Sequence, residues 1–316
     1  MPIESDFSLF ADIDKACTKE IHKLGLDAKV MVIKGGVAIT FLSSPLSIPS
    51  SLFHLPIREL DFSGCQMPPI EEIKGFNLSS LALPLNCELG LDELNFFRLK
   101  RLKAEGIQSN DFGALSDHPL SSLSIPRSNI SDIEFTRELN LQHLNLASTG
   151  ISSLKPLEGA TELKKINVFK CNIDDIRPLA DCSLGEINLS GNTITDLSSL
   201  AGMPVKILEM RATKVESLDP MAGCPLEVLH LPGSPISFIG SIAHCPIREL
   251  NLVGLSIKDF ECLQYMPLES LSVSPDKLTR NQFAFLKALD LGYLAGPGDG
   301  KKQSPQAFFD KYSGFY

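Results

Sequence analysis

The sequence predicts an α/β solenoid. Its coils carry a parallel sheet on the concave side, turns and 3₁₀ segments on the convex side, and helical caps at both ends. Three observations predict this. Twelve apolar anchors recur: Ile39, Leu60, Leu81, Leu102, Leu123, Leu144, Ile166, Ile187, Leu208, Leu229, Leu250 and Leu271. Each follows the last by 21 residues, except for the 22-residue step from Leu144 to Ile166. A second apolar residue stands two places after every anchor, and further apolar places recur at 7, 10, 13 and 18. Such a set fits neither one helix face nor one strand, but it fits a closed coil that buries its apolar side by stacking on neighbours.

A solenoid with bare ends exposes its apolar column, so residues 1–36 are expected to form an N-terminal cap. Ser5–Leu24 carries Phe7, Phe10, Ile13, Cys17, Ile21 and Leu24 at helical spacing, with Ser5 as N-cap. A partner-binding helix is the other reading of that pattern. KVMVIKGGVAITF (29–41) reads as two strands around Lys34-Gly35-Gly36.

The coils occupy 37–274, about twelve in all. Apolar–any–apolar at each anchor is a short strand with one buried face, because strand side chains alternate. Places 11–17 are rich in Ser, Pro and Gly, as in LSSLAGMP (197–204) and LDPMAGCP (218–225). They hold too few helix formers for a helix, so turns and 3₁₀ segments are expected there. Pro recurs at place 17 (Pro56, Pro119, Pro204, Pro225, Pro246, Pro267), at the strand entrance, since it cannot donate to a ladder. Past Val273 the period stops. Residues 275–316 are expected to cap the last coil, with a helix over Asp276–Leu289, an extended LGYL (291–294), a flexible Gly296–Lys302 loop and a short helix over Ser304–Tyr312.

These units resemble leucine-rich repeats, and ITDLSSLAGMPVKILEM (194–210) looks like the internalin type. The resemblance covers about 39–274 and implies a right-handed superhelix. It is weakest over 60–122, where Leu85 replaces Gly or Ser, and Glu88 and Ser109 replace aliphatics. The chain is similar, too, to repeat proteins of planctomycete and verrucomicrobial bacteria, down to the tail GDGKKQSPQAFFDKY (298–312) with Phe308 and Phe309. In that group such repeats are often attached to a Ser/Thr kinase domain, which this sequence lacks.

Composition removes several functional classes. A net charge of −9 and a pI near 5.2 argue against nucleic acid, whose phosphates demand a basic footprint. No apolar run approaches the ~20 residues that span a bilayer, and Met1–Phe10 has no leader pattern, so a cytoplasmic location is expected. Cys182, Cys224 and Cys245 stand at place 16, where other coils carry Met203, Met266, Phe76 and Phe97. They read as small buried apolar side chains, and free thiols are expected although Cys224 and Cys245 stack on adjacent coils. No cysteine or histidine spacing suggests zinc; no metal or cofactor is expected.

Two motifs imitate catalytic sites. Asp111-Phe112-Gly113 spells a kinase magnesium motif, yet Asp111 holds place 9, as do Asp132, Asp175, Asp196 and Asp259. An aspartate there is expected to cap the following 3₁₀ turn. A kinase also needs a Gly-rich loop, a strand lysine and a catalytic-loop Asp with Asn, all missing here. GPGDGKK (296–302) imitates a phosphate loop, but Lys302 replaces Ser or Thr and no strand–helix frame surrounds it. With no nucleophile–base pairing either, the chain is expected not to be an enzyme.

Places −1, +1 and +3 alternate with the buried ones and face outward. Twelve strands at ~4.8 Å spacing give a surface roughly 55–60 Å long, which suits protein recognition. The candidate contact residues are Phe169, Ile207, Glu209, Arg211, Val228, His230, Pro232, Asn251 and Val253, with Phe169, Arg211 and His230 as a hot-spot grouping rimmed by Glu186, Glu209 and Glu249. Asn145, Asn167 and Asn188 read equally as a ladder that stabilises the sheet. The expected function is a non-enzymatic module that binds a protein or peptide on its concave face, as a monomer. The alternative is a regulatory arm acting on a separately encoded kinase or other enzyme.

Overall fold

The computed structural model describes residues 4–300 and 303–315, with side chains from Ile13 onward. The expected roles of Phe7, Phe10, Lys301 and Lys302 therefore lie outside the described side chains. The chain forms two compact units that meet in sequence between Leu146 and Ala147.

In the first unit, helix α1 (Glu4–Lys23) already includes Ser5, which stands inside the first turn instead of capping it. Gly25 ends the helix in the left-handed region (φ 73), and Leu26 N–H bonds back to Ile21 O at 3.2 Å. Cys17 and Ile21 are buried. Strands β1 (Ala28–Ile33) and β2 (Gly36–Phe41) form the expected antiparallel hairpin, turning through Gly35 at φ 87. A Cβ on Gly36 would collide with Pro56 O, so glycine lets β2 lie against the next coil.

From β2 the ladder is parallel, through β3 (Ile57–Asp61), β4 (Ser80–Ala82), β5 (Arg101–Lys103), β6 (Ser122–Ser124) and β7 (His143–Asn145). Leu60, Leu81, Leu102, Leu123 and Leu144 stand directly opposite one another in successive strands.

The second unit repeats the pattern with β8 (Lys165–Asn167), β9 (Glu186–Asn188), β10 (Ile207–Glu209), β11 (Val228–His230), β12 (Glu249–Asn251), β13 (Ser270–Ser272) and β14 (Tyr293–Ala295). Here the anchors pair from Ile166 to Leu271 and then on to Leu294. The last step, from Leu271 to Leu294, is longer than 21 residues because helix α2 (Arg280–Leu286) replaces the turn of the preceding coils. The parallel ladder thus continues past 274, and the expected helix over 276–289 shortens to α2 preceded by a 3₁₀ turn at Pro275–Lys277. Helix α3 (Pro305–Tyr312) begins after Ser304, whose hydroxyl accepts from Ala307 N–H at 3.3 Å.

All twelve anchors are at most 2% exposed, and burying a side chain of this size contributes roughly 1.5–3 kcal/mol. Short 3₁₀ segments follow the loops, such as Arg177–Leu179, Ser198–Leu200 and Asp219–Met221. Place 9 caps them as expected: Asp175 Oδ1 accepts from Arg177 N–H and Asp196 Oδ1 from Ser198 N–H, both at 2.9 Å. Asp111 does the same for Gly113 at 2.8 Å, which accounts for the kinase-like tripeptide. Asp259 differs, accepting from Ile239 and Gly240 of the coil before.

Place 7 fails in part of the first unit. Leu46, expected inside, is fully exposed, and Ile48 is buried in its stead. Where Glu88 and Ser109 occupy place 7, Leu89 and Ile107 turn inward. This loop carries no ladder bonds, so the inward residue can shift by one or two places while the strands keep register.

A polar row runs inside the coils at place 5. Asn192, buried, donates to Val168 O and Leu189 O at 2.7 and 2.9 Å and accepts from Ile173 N–H at 3.1 Å. Thr213 and Ser234 both donate to Met210 O. These side chains satisfy backbone groups that the tight turn after each strand leaves without ladder partners.

Candidate protein-interaction face

Places −1, +1 and +3 of the second unit build the candidate face. Each strand is three residues long, and in three of them the side chain at +1 closes the exit. Asn167, Asn188 and Asn251 accept from the N–H of Phe169, Ser190 and Val253 at 3.0, 3.0 and 3.1 Å. These asparagines therefore have a structural role, and Asn188 also donates to Glu209 at 3.1 Å.

The face has two apolar margins about a polar centre. Ile207 and Val228 stand opposite one another on β10 and β11, both half-buried. Pro232 and Val253, also half-buried, follow β11 and β12 on the other margin. Between the margins runs the row Glu209, His230, Asn251, in register across three strands.

His230 departs from expectation. Its side chain is almost fully covered, and Nε2 lies 3.0 Å from Glu249 Oε1, while Nδ1 is buried without a partner. It forms the floor of the face. The expected hot-spot grouping also separates. Phe169 follows β8 and Arg211 follows β10, so β9 stands between them, a gap of ~10 Å at ordinary strand spacing. Phe169 is half-buried, and its ring carries Lys170 Nζ at 5.3 Å from the centroid. Arg211 is exposed.

Sequence reading missed a run of ion pairs along the strand entrances. Lys165 pairs with Glu186 at 2.6 Å, Lys206 with Glu227 at 2.8 Å, and Arg248 with Glu269, each joining one coil to the next. The hydrogen bond from Lys206 holds the Glu227 carboxyl below the usual carboxylate range and raises Lys206 in return. Opposite charges 21 residues apart were the available signal. Exposed pairs of this kind contribute little stability, so their main effect is to neutralise that margin.

Among the described residues no three His, Cys, Asp or Glu side chains stand where they could hold a metal ion. None of the eight cysteines, all among the described residues, is in a disulfide. Burial pushes Cys182 up to about 11 and Cys262 up to about 12, with Asp181 and Asp259 adding to the effect, which makes both poor nucleophiles. No helix among the described residues is long and apolar enough to cross a membrane.

No protein-family model and no curated protein matches the chain. Solved structures do. An internalin of Listeria monocytogenes, InlF, superposes with a TM-score of 0.65 at 18% identity, over 83% of this chain and 87% of that one. Internalin C2 of the same organism gives 0.46 at 21% identity, over 65% and 84%. At such identity the likeness to InlF is one of fold, and it agrees with the parallel ladders, 3₁₀ turns and buried anchors described above. The chain has the leucine-rich-repeat fold of the internalin type.

Proposed function

We propose that the protein is a non-enzymatic interaction module that binds a protein or peptide partner on the concave face of its second unit. The observation that carries this reading is the pair of half-buried apolar margins, Ile207 with Val228 and Pro232 with Val253, on an open sheet face. Apolar side chains in such places gain little within the fold and present ready area to a partner. The buried floor at His230 keeps that area rigid, which reduces the entropy cost of binding.

The test is affinity capture from the native host with three forms of the full chain: wild type, Val228→Asp and Phe238→Ala. Phe238 is an exposed aromatic on a convex turn, with Lys258 over its ring. A specific partner should be retained by wild type and Phe238→Ala and lost by Val228→Asp, with all three forms equally folded. Retention by Val228→Asp with loss by Phe238→Ala would move the site to the convex side.

A further inference from the structure

The two margins of the second unit's concave face differ in charge. On the strand-entrance side the cations Lys165, Lys206 and Arg248 are each matched by a carboxylate one coil away. On the exit side Lys170 and Arg211 form no ion pair among the described residues. The nearest carboxylate along the strand, Glu209, is engaged by the Asn188 amide. Gly191 stands between the coils that carry them. Gly191 N–H donates to Arg211 O at 2.7 Å, and a Cβ on Gly191 would lie 2.9 Å from Lys170 Cγ. The lysine stem thus lies against Gly191, and its ammonium stands over the Phe169 ring.

A second observation concerns the backbone. Place 4 of these coils is left-handed, at φ 74, 75 and 84 in Gly191, Gly233 and Gly254. Glycine takes that conformation without strain, yet Lys170 (φ 50) and Ala212 (φ 51) hold it with a side chain. Lys170→Gly and Ala212→Gly therefore relieve the same strain, and only the first removes a charge.

Resting on the concave-face reading, we propose that this exit margin binds an acidic segment of the protein partner. Its carboxylates face Lys170 and Arg211, and an apolar side chain packs on Pro232 and Val253. A nucleic acid or other uniform polyanion fits poorly, because Glu186, Glu209, Glu227 and Glu249 stand on the same face and the chain carries −9 overall.

The test is selection of random displayed dodecapeptides on the immobilised full chain, in five forms: wild type, Lys170→Glu/Arg211→Glu, Lys170→Gly, Ala212→Gly and Val253→Asp. Wild type should enrich Asp and Glu beside an apolar residue. The double reversal should abolish that bias, Lys170→Gly should weaken it, and Ala212→Gly, which relieves the same strain without removing charge, should keep it. A selected peptide remade with Gln for its acids should bind wild type about tenfold more weakly at low salt, the effect of two modest charge contacts, and the gap should narrow as salt rises. Peptides without acid bias, or a bias that survives the double reversal, would overturn the proposal. Unbiased peptides that Val253→Asp no longer binds would defeat only this inference. Peptides that Val253→Asp binds unchanged, or no enrichment at all, would defeat the concave-face reading with it.

Discussion

Tyr312 Oη donates to Asp299 Oδ2 at 3.1 Å, tying the last helix to the turn that leaves the last strand. Asp299 also accepts from Gly296 N–H at 2.8 Å and pairs with Lys311, and its side chain is 5% exposed. A Cβ on Gly296 would collide with Tyr312 Oη. The loop expected to be flexible is thus fastened in its described part. Burial alone would raise the Asp299 carboxyl, but the bonds from Lys311, Gly296 and Tyr312 outweigh it and hold it below the usual range. A depressed carboxyl stabilises above its unfolded value and loses that contribution as pH falls through its folded value. Amides of α3 should therefore exchange faster once pH drops below about 4. At neutral pH Tyr312→Phe should cost the same region about 1.5–3 kcal/mol, a bond to a charged acceptor. Unchanged exchange in both experiments would contradict the fastening.

Leu208→Ala empties a site that is fully buried and should cost about 2–5 kcal/mol in chemical denaturation. Asn188→Ala removes one strand-closing bond and one bond to Glu209 on a wet face, and should cost about 1 kcal/mol. Equal costs would undermine the assigned register.

His118 replaces the Met, Phe or Cys of other coils at place 16 and is 3% exposed, with a backbone contact at Phe97 too poorly aligned to satisfy its ring nitrogens. Burial pushes its imidazole below the ordinary value, against the pull of Asp117. The unfolded chain takes up the proton first, so stability is full above about pH 6.5 and falls as pH drops toward the folded value. Thermal melts from pH 7.5 to 5 should show a slope that His118→Met flattens. Parallel slopes would mean that other groups set it.

Gly191 and Ala212 share the left-handed place 4 on adjacent coils. Gly191→Ala should destabilise by roughly 1–2 kcal/mol or more, since its Cβ also meets the Lys170 stem. Ala212→Gly relieves the same strain at some entropic cost and should stabilise by up to about 1 kcal/mol. A reversed order in urea midpoints would contradict the backbone assignment.

The anchors and the Asp caps were legible because stacking demands one residue type at one place in every coil. Leu46 was misread, with Ile48 buried instead, because the loop after a strand has no ladder to fix which residue turns inward. The extended LGYL is legible, but not that it continues the ladder as β14, because α2 lengthens its coil and breaks the period. At the candidate face, alternation gave the outward side of Ile207, Val228 and Asn251. It could not show that Glu249 covers and holds His230, nor that a whole strand separates Phe169 from Arg211. Such facts depend on side chains from different coils, which a one-coil pattern does not contain.

The central claim is that a partner sits on the concave face of the second unit. A photo-crosslinking amino acid placed at Val228, and separately at Phe238, tests it directly in extracts of the native host. The account predicts a discrete adduct from position 228 and none from 238; an adduct from 238 alone would contradict it.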